Sequence, residues 1–301
     1  MRRAVAATVL GLCLLGVASA ERPLSRAPAP LAIHSTFDAK GIVAAATFRD
    51  AGAIGSLTWG GVEFIDAFDH GRELQSAISF DGLTECDNPT EAGSRRDGTK
   101  AVSSSLLKEF STTGNVLRTF TQMAYWLHPG EHSAACGAAR NQAPSTLSDV
   151  SLSKTVRFLP NQPNVLEHQL VFHLPATRAT AQFEVLTAYM PQRFDTFYTV
   201  DAQTGRVLPL SDGPGEQDLP VVLATRDGKH ALGLYSPSPV IEKVSGPGYG
   251  RWRFQRDRVV KSNVVYRLDN AAAGSYGFTV YTVIGGLPDV HAALQRLQRR
   301  Q

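Results

Sequence analysis

The chain has 301 residues, of which 30 are Lys or Arg and 27 are Asp or Glu, so its formal net charge is +3. A chain this close to neutrality, with no cluster of basic residues, lacks the positive field that phosphate recognition needs, which excludes nucleic acid as an expected partner. The length corresponds to one large domain or two small ones.

The first 20 residues have the pattern of a secretory signal peptide. Two arginines precede an apolar run over residues 4–17, and the small residues 18–20 form a cleavage motif. The run is shorter than the roughly 20 residues that span a membrane, and no later stretch approaches that length. We expect a secreted or periplasmic protein with no integral membrane segment in the mature chain. A lipoprotein anchor at Cys13 is the weaker alternative, because Leu12 rather than a small residue precedes it.

Residues 21–36 are interpreted as an N-terminal tether and residues 37–301 as a single domain. The start of the tether is rich in proline and alanine. Two later stretches, 129–148 and 211–217, contain glycine, proline and small residues and predict loops. No change of composition flanks either stretch, so the sequence predicts no second domain.

Apolar and polar residues alternate with a period of two through most of this domain, which is the signature of β-strands. In residues 274–284 both faces carry bulky side chains, as in an inner strand that is covered on both sides. The other predicted strands span 41–48, 77–80, 103–110, 117–127, 150–158, 166–174, 183–189, 220–224, 230–235, 250–254 and 259–268. This many strands at this spacing predict a large antiparallel β-sandwich.

One helix is predicted at the C-terminus. Pro288 suits the first helical position, Asp289 complements the positive end of the helix dipole, and apolar residues recur at 290, 293, 294 and 297. We expect the helix to cover an open edge or end of the sandwich. The predicted fold class is therefore all-β, a large antiparallel β-sandwich with one short C-terminal helix.

Two cysteines, Cys86 and Cys136, remain after the predicted signal peptide, and disulfides form in exported proteins. A disulfide between them is favoured over two unpaired buried thiols. Zinc is disfavoured because His132 and Cys136 are a lone pair, without the further ligands that such a site needs.

Polar and ionisable residues crowd into residues 59–97. His70 stands at a turn before a predicted strand and is a candidate general acid or base near neutral pH. Arg72 and Gln75 follow it and are candidate substrate ligands. If residues 72–80 are extended, Arg72 and Glu73 point to opposite faces. The alternative is a solvated turn without a role in chemistry.

The loop that contains Cys86 carries a second group of candidates. Glu85 and Glu91 are candidate catalytic carboxylates, because paired carboxylates suit glycoside hydrolysis. Asn88 and Arg95 are candidate substrate ligands, and an arginine fork can hold a uronate carboxylate through two hydrogen bonds. The alternative is a disulfide-tethered surface loop whose acids pair with its own arginines.

Aromatic residues form a third group, most of which are expected in the core. Tyr249 and Trp252 lie in or after the glycine-rich stretch 246–250, which predicts a loop, and Tyr189 and Arg193 lie in AYMPQRF. Exposed aromatic faces stack on sugar rings, so these four residues are candidate substrate ligands.

No cofactor and no metal is predicted. Calcium in the acidic stretch 81–97 is the alternative, although its acids lack the regular alternation of a calcium-binding loop.

The run AIGSLTWGGVEFIDAFDHGRELQ at 53–75 resembles the opening of galactose-mutarotase-like proteins. LSDVSLSKTVRF, the YMP beside Tyr189 and the closing YTVIGGLPDVHAAL are similar to exported bacterial proteins of that class. The resemblance spans most of the mature chain and implies a β-supersandwich fold. The class includes sugar epimerases, polysaccharide lyases, glycan-processing hydrolase domains and noncatalytic binders, so it implies a carbohydrate ligand more strongly than any one reaction.

The chain departs from the aldose epimerases of this class, which use an early Asn-Arg motif, a histidine acid in mid-chain and a glutamate base near the end. It has no clear Asn-Arg motif, and Glu242 is the only glutamate after Glu216. A simple aldose mutarotase is therefore disfavoured. We expect an exported protein that cleaves or modifies an oligosaccharide or polysaccharide, as a glycoside hydrolase or polysaccharide lyase. The alternative is a noncatalytic glycan-binding or envelope scaffold protein.

Overall fold

The computed structural model describes residues 29–201 and 204–299. The predicted signal peptide, 1–20, and residues 21–28 of the predicted tether lie outside the described residues. The strands are β1 Leu31–Phe37, β2 Lys40–Ala46, β3 Ile54–Trp59, β4 Val62–Glu63, β5 Leu74–Phe80, β6 Pro89–Thr90, β7 Leu106–Thr113, β8 Val116–Tyr125, β9 Leu147–Leu159, β10 Gln162–Leu174, β11 Arg178–Pro191, β12 Thr196–Asp201, β13 Arg206–Pro209, β14 Gly215–Gln217, β15 Val221–Ala224, β16 Ala231–Tyr235, β17 Ser245–Phe254, β18 Val259–Ala271 and β19 Gly274–Gly285. Helix α1 is Leu287–Gln298, and short 3-10 turns span Thr84–Asp87 and Ala134–Cys136.

The strands pair as two antiparallel layers. The first layer runs β1-β2-β3-β5-β11-β18-β17-β14, with β4 paired to β3. The second layer runs β7-β8-β9-β10-β19-β16-β15-β12-β13. The two-residue strand β6 pairs with β5 of the first layer and β8 of the second, which joins all the strands into one 19-stranded sheet.

Aromatic side chains fill the space between the two layers. Phe183 of β11 lies 5.4 Å from Phe172 of β10 and 5.1 Å from Phe278 of β19, measured between ring centroids. Tyr266 of β18 stacks on the same Phe278 at 5.1 Å. Because aromatic rings bury large apolar areas, these contacts between the layers hold the sandwich together. The predicted all-β antiparallel sandwich is confirmed.

The predicted C-terminal helix is confirmed. It begins after Gly286, whose N–H donates to Asp289 Oδ2 at 3.1 Å. It packs on β16 and β19, two inner strands of the second layer. A Cβ at Gly233 of β16 would lie 2.9 Å from a methyl carbon of Leu294, so glycine at this position lets the helix approach the sheet closely.

Three segments differ from their predicted conformation. The end of the predicted loop 211–217 forms strand β14, Gly215–Gln217, which pairs with β17. Strand β1 begins inside the predicted tether and pairs along its whole length with β2, so residues 31–36 of the tether belong to the sheet. The glycine-rich stretch 246–250 is not a loop but part of β17, paired with β18 through a register shift between Ser245 and Gly248. Within 29–201 and 204–299, no helix has both the length and the apolar character to cross a membrane.

Candidate functional site

A narrow cleft opens on the outer face of the first layer, where β5, β11 and β18 lie side by side. It encloses about 120 Å³. The cleft is closed from above by the loop around the 3-10 turn Thr84–Asp87 and by Trp126, the residue that follows β8. The residues that line this cleft are Gly71, Gln75, Ala77, Glu85, Asn88, Thr90, Trp126, Glu184, Thr187, Tyr189 and Lys261.

A β-bulge in β11 brings the polar residues of this strand to the cleft. Glu184 pairs with Ala77 of β5 and Thr187 pairs with Gln75, with a register shift between the two pairs. In a regular strand, residues three apart point to opposite faces, whereas the extra residue of a bulge restores the same face. Tyr189 then pairs with Lys261 of β18 and lies on the same face.

Glu184 is the most constrained ionisable group of the cleft. Its Oε2 accepts hydrogen bonds from Lys261 Nζ at 3.0 Å, Asn263 Nδ2 at 2.9 Å and Thr187 Oγ1 at 3.2 Å. Its Oε1 accepts from no side chain or backbone group of the described residues. The side chain of Glu184 keeps 20% of its surface exposed. One carboxylate oxygen is therefore fixed by the protein, and the other is left for a ligand.

The ion pair between Glu184 and Lys261 determines the charge states of these two residues. Burial alone would raise the pKa of Glu184, but the Lys261 ammonium and the hydrogen bonds from Asn263 and Lys261 hold that pKa below its usual value. Burial would lower the pKa of Lys261, yet the Glu184 carboxylate raises it above the ordinary lysine value. Burial also raises the pKa of Tyr189. At neutral pH the cleft therefore presents a carboxylate, an ammonium and an un-ionised phenol.

Two tryptophans lie at this surface, and each covers a glycine. The ring of Trp126, which lines the cleft, lies against Gly71, and the ring of Trp252 lies against Gly250, so a Cβ at either glycine would overlap the ring. The Trp252 ring also lies 4.8 Å from Lys261 Nζ. Both rings are half-buried, so each keeps an exposed part for contact with a ligand.

Four of the candidate residues from the sequence line the cleft: Gln75, Glu85, Asn88 and Tyr189. Glu85 and Asn88 flank Cys86, which forms a disulfide with Cys136 at a Cα–Cα distance of 5.6 Å. The disulfide thus anchors the loop that brings both residues over the sheet. Trp252 lies beside the cleft through its contact with Lys261.

Three candidate arginines lie outside the cleft. Arg72 and Arg193 line a neighbouring cavity, and Arg72 Nε lies 2.6 Å from Asp69 Oδ1. Arg95 donates from Nε to Glu131 Oε2 at 3.2 Å. Arg95 is therefore part of an ion pair at the surface, and it does not line the cleft.

Three other candidates lie inside the protein rather than at the cleft. His70 is 1% exposed, and its two ring nitrogens face the carbonyl oxygens of Ala92 and Lys100 at 2.8 and 3.0 Å. Glu91 is fully buried and pairs with Lys154. Because strand residues alternate between faces, Tyr249 points into the core while Trp252 points outward. None of the three can contact a ligand in the cleft.

Glu184, Lys261 and Trp126 are three cleft residues with a proposed role that the sequence did not single out. Glu184 and Lys261 are about 80 positions apart in the sequence, and only the pairing of β11 with β18 brings them together. A signal was present in the sequence, because Glu184 lies between Phe183 and Val185, and Lys261 directly follows Val259 and Val260. Trp126 is an aromatic residue of the predicted strand 117–127, and nothing in its sequence neighbourhood indicated that its ring is exposed.

One buried group has the residue types of a metal site. Ligand atoms of Asp50, His70 and Glu73 lie within 4.8 Å of one another. However, Arg49 Nη1 lies 2.6 Å from Asp50 Oδ1 and 3.9 Å from Glu73 Oε1, and both nitrogens of His70 face carbonyl oxygens. A guanidinium already lies against Asp50 and near Glu73, and the imidazole has no free nitrogen, so the arrangement does not fit a metal ion.

No protein-family model and no curated protein matches the chain. Among solved structures, it is similar to a heparan sulfate lyase from Pedobacter heparinus, with 11% identity and a TM-score of 0.44 over 88% of this chain and 37% of that one. It is similar to an α-galactosidase from Geobacillus stearothermophilus, with 10% identity and a TM-score of 0.44 over 85% and 40%. It is also similar to an aldose epimerase homologue from C. elegans, with 10% identity and a TM-score of 0.40 over 86% and 100%.

The chain therefore spans well under half the length of the first two of these proteins. The third belongs to the galactose-mutarotase-like class that the sequence resembles. The resemblance in fold is loose, and similarity of this degree says nothing about the reaction or the substrate of this chain.

Proposed function

We propose that this chain acts outside the cytoplasm and binds the end of an oligosaccharide or polysaccharide in the cleft. The observation that carries the proposal is that the free Oε1 of Glu184 and the half-exposed ring of Trp126 belong to residues that line the same cleft. Sugar rings have one apolar face, which stacks on an aromatic ring, and hydroxyls at their rim, which donate to carboxylates. The cleft supplies both partners in one place.

The size of the cleft favours one sugar ring at the end of a chain. Its volume of about 120 Å³ is below the roughly 300–1,000 Å³ of pockets that enclose a whole drug-sized ligand. Asn88 and Gln75, which line the same cleft, carry amide groups that can hydrogen-bond further hydroxyls. A ligand held this way projects the rest of its chain into solvent or along the protein surface.

Cleavage of the bound glycan is a second candidate function, because two carboxylates, Glu85 and Glu184, line the same cleft. In glycoside hydrolysis one carboxyl group protonates the leaving oxygen while the other attacks the sugar or activates water. The lowered pKa of Glu184 suits the carboxylate that attacks the sugar or activates water. Product analysis separates this reaction from lyase chemistry, which leaves an unsaturated uronate that absorbs in the ultraviolet.

The test is a panel of neutral and acidic oligosaccharides, with thermal stabilisation as the first readout and titration calorimetry as the second. A ligand that binds only the folded state raises its melting temperature. For the glycans that bind, we expect Glu184→Gln to weaken affinity at least about tenfold, because a hydrogen bond to a charged group is lost.

The matched control is Glu216→Gln. Glu216 is also a carboxylate paired with a cation, Arg267, at 2.6 Å, but it does not line the cleft. Equal affinities for the wild type and Glu184→Gln, or an equal loss in the Glu216→Gln control, would contradict the proposal.

A further inference from the structure

A second, wider cavity of about 690 Å³ adjoins the cleft. We call it the side cavity; its lining residues are Asp66, Phe68, Arg72, Pro191, Gln192, Arg193, Asp257 and Arg258. The two spaces share adjacent stretches of chain. Gly71 lines the cleft and Arg72 the side cavity, and Tyr189 lines the cleft while Pro191 lines the side cavity. The two spaces therefore lie next to each other along β11 and along the turn before β5.

Phe68 presents an exposed aromatic face to the side cavity. Its side chain is 69% exposed, and no other aromatic residue among 29–201 and 204–299 is among the exposed large apolar side chains. Its backbone is nevertheless held in place. Arg49 donates to the carbonyls of Ala67 and Phe68 at 3.2 and 3.3 Å, and Asp66 Oδ1 accepts the N–H of Phe68 at 3.2 Å. A fixed backbone with an exposed ring loses little entropy when a sugar stacks on it.

Arg258 supplies a cation at the same cavity. It is exposed, and its guanidinium has no partner in the part of the chain that the structure describes. Its backbone is fixed, because its carbonyl accepts the N–H of Gln192 at 3.1 Å. By contrast, Arg72 is already paired, with Asp69 at 2.6 Å and with Asp257 at 3.7 Å. Arg193, the third arginine of the side cavity, donates from Nη2 to the carbonyl of Glu63. Among these three arginines, Arg258 is therefore the one whose guanidinium has no partner in the described residues.

We propose that the side cavity is a subsite for the next sugar of the bound glycan, and that this sugar carries a carboxylate or a sulfate. Phe68 would stack on the apolar face of that sugar, and the guanidinium of Arg258 would pair with its anionic group. The inference rests on the proposed function, since it takes the cleft as the site of the terminal sugar. It adds a substrate class, the anionic glycans, that the cleft alone does not specify.

The test compares three trisaccharides by titration calorimetry: a neutral hexose trimer, a trimer of uronic acids and a sulfated hexose trimer. We expect one of the two anionic trimers to bind more tightly than the neutral one, and the preferred trimer identifies carboxylate or sulfate as the natural group. Phe68→Ala should weaken binding of that trimer about fivefold to tenfold. Arg258→Ala should weaken it about fivefold and remove the preference for the anion.

Matched controls are available on the same surface. Arg256 lies on the same turn as Arg258 and is exposed, but it does not line the side cavity. Val240 is a fully exposed apolar residue remote from it in sequence. Arg256→Ala and Val240→Ala should leave the affinity for the anionic trimer unchanged.

The outcomes separate this inference from the proposed function. If neutral and anionic trimers bind equally, and neither Phe68→Ala nor Arg258→Ala weakens them while Glu184→Gln does, the side-cavity inference is overturned and the cleft stands. If Glu184→Gln has no effect but Phe68→Ala and Arg258→Ala do, the side cavity binds glycan without the cleft. The proposed function is then overturned, together with the role of the side cavity as a subsite for the next sugar. If no trimer binds, both are overturned.

Discussion

The molecule contains two Glu–Lys pairs with the same chemistry and different surroundings. Glu91 and Lys154 lie between the layers with at most 1% of either side chain exposed. Glu184 and Lys261 lie on the outer face, with 20% and 14% exposed. Both Glu91 oxygens are occupied, by Lys154 and by the N–H of Ser76, whereas Glu184 keeps Oε1 free. The first pair can only support the fold, while the second can also meet a ligand.

The Glu91–Lys154 pair, which we call the inner pair, is also surrounded by groups that are closed off from water. Burial and the charge of Lys154 lower the pKa of His168 to about 3, so this histidine is neutral, and its Nε2 lies 3.0 Å from Thr282 Oγ1. The inner polar cluster therefore contains one ion pair and one neutral ring, closed off from water. Residue type alone does not mark a functional site; access to solvent and an unused hydrogen-bonding atom do.

The largest effect is expected from breaking the inner pair. Lys154→Met leaves the Glu91 carboxylate buried without a counter-charge, and the free energy of unfolding should fall by about 3–5 kcal/mol. Denaturant unfolding measures the change. Under conditions where the variant is folded, its affinity for glycans should equal that of the wild type. A variant as stable as the wild type would show that the pair is not structural.

The next effect tests how the loop over the cleft is anchored. Replacing Cys86 and Cys136 together by alanine opens a disulfide that spans 50 positions of sequence, and the free energy of unfolding should fall by about 2–4 kcal/mol. Since Glu85 and Asn88 flank Cys86, glycan affinity should fall as well. Unchanged affinity in the folded double variant would show that the loop does not take part in binding.

A smaller effect on stability is expected at the outer pair. Glu184→Gln removes the counter-charge of Lys261 and should lower the free energy of unfolding by about 1–3 kcal/mol at neutral pH. The folded pKa of Glu184 lies below the usual value of 4.5, so its contribution is complete above pH 4.5 and is lost as the pH falls through the folded pKa. The stability gap between wild type and variant should therefore narrow below pH 4.5; a gap that widens in acid would contradict the assigned charge state.

The sequence predicts the scaffold better than the site. Every predicted strand segment overlaps an observed strand, because period-two alternation directly reflects which face of a strand is buried. The site depends on pairings that the sequence does not state. The bulge after Glu184 places it on the same face as Thr187, and the alternation within β17 sends Tyr249 inward and Trp252 outward. Glu85 and Glu91 are both glutamates in the loop that contains Cys86, and the sequence does not distinguish them. Only Glu85 lines the cleft, whereas Glu91 is buried.

The most direct measurement is a crystal structure of the chain with the tightest-binding glycan of the panel. The predicted result is a sugar ring stacked on Trp126, with a hydroxyl within hydrogen-bond distance of Glu184 Oε1 and the Glu184–Lys261 contact intact. A glycan bound elsewhere on the surface, with the cleft between β5, β11 and β18 empty, would contradict the assignment of this cleft as the binding site.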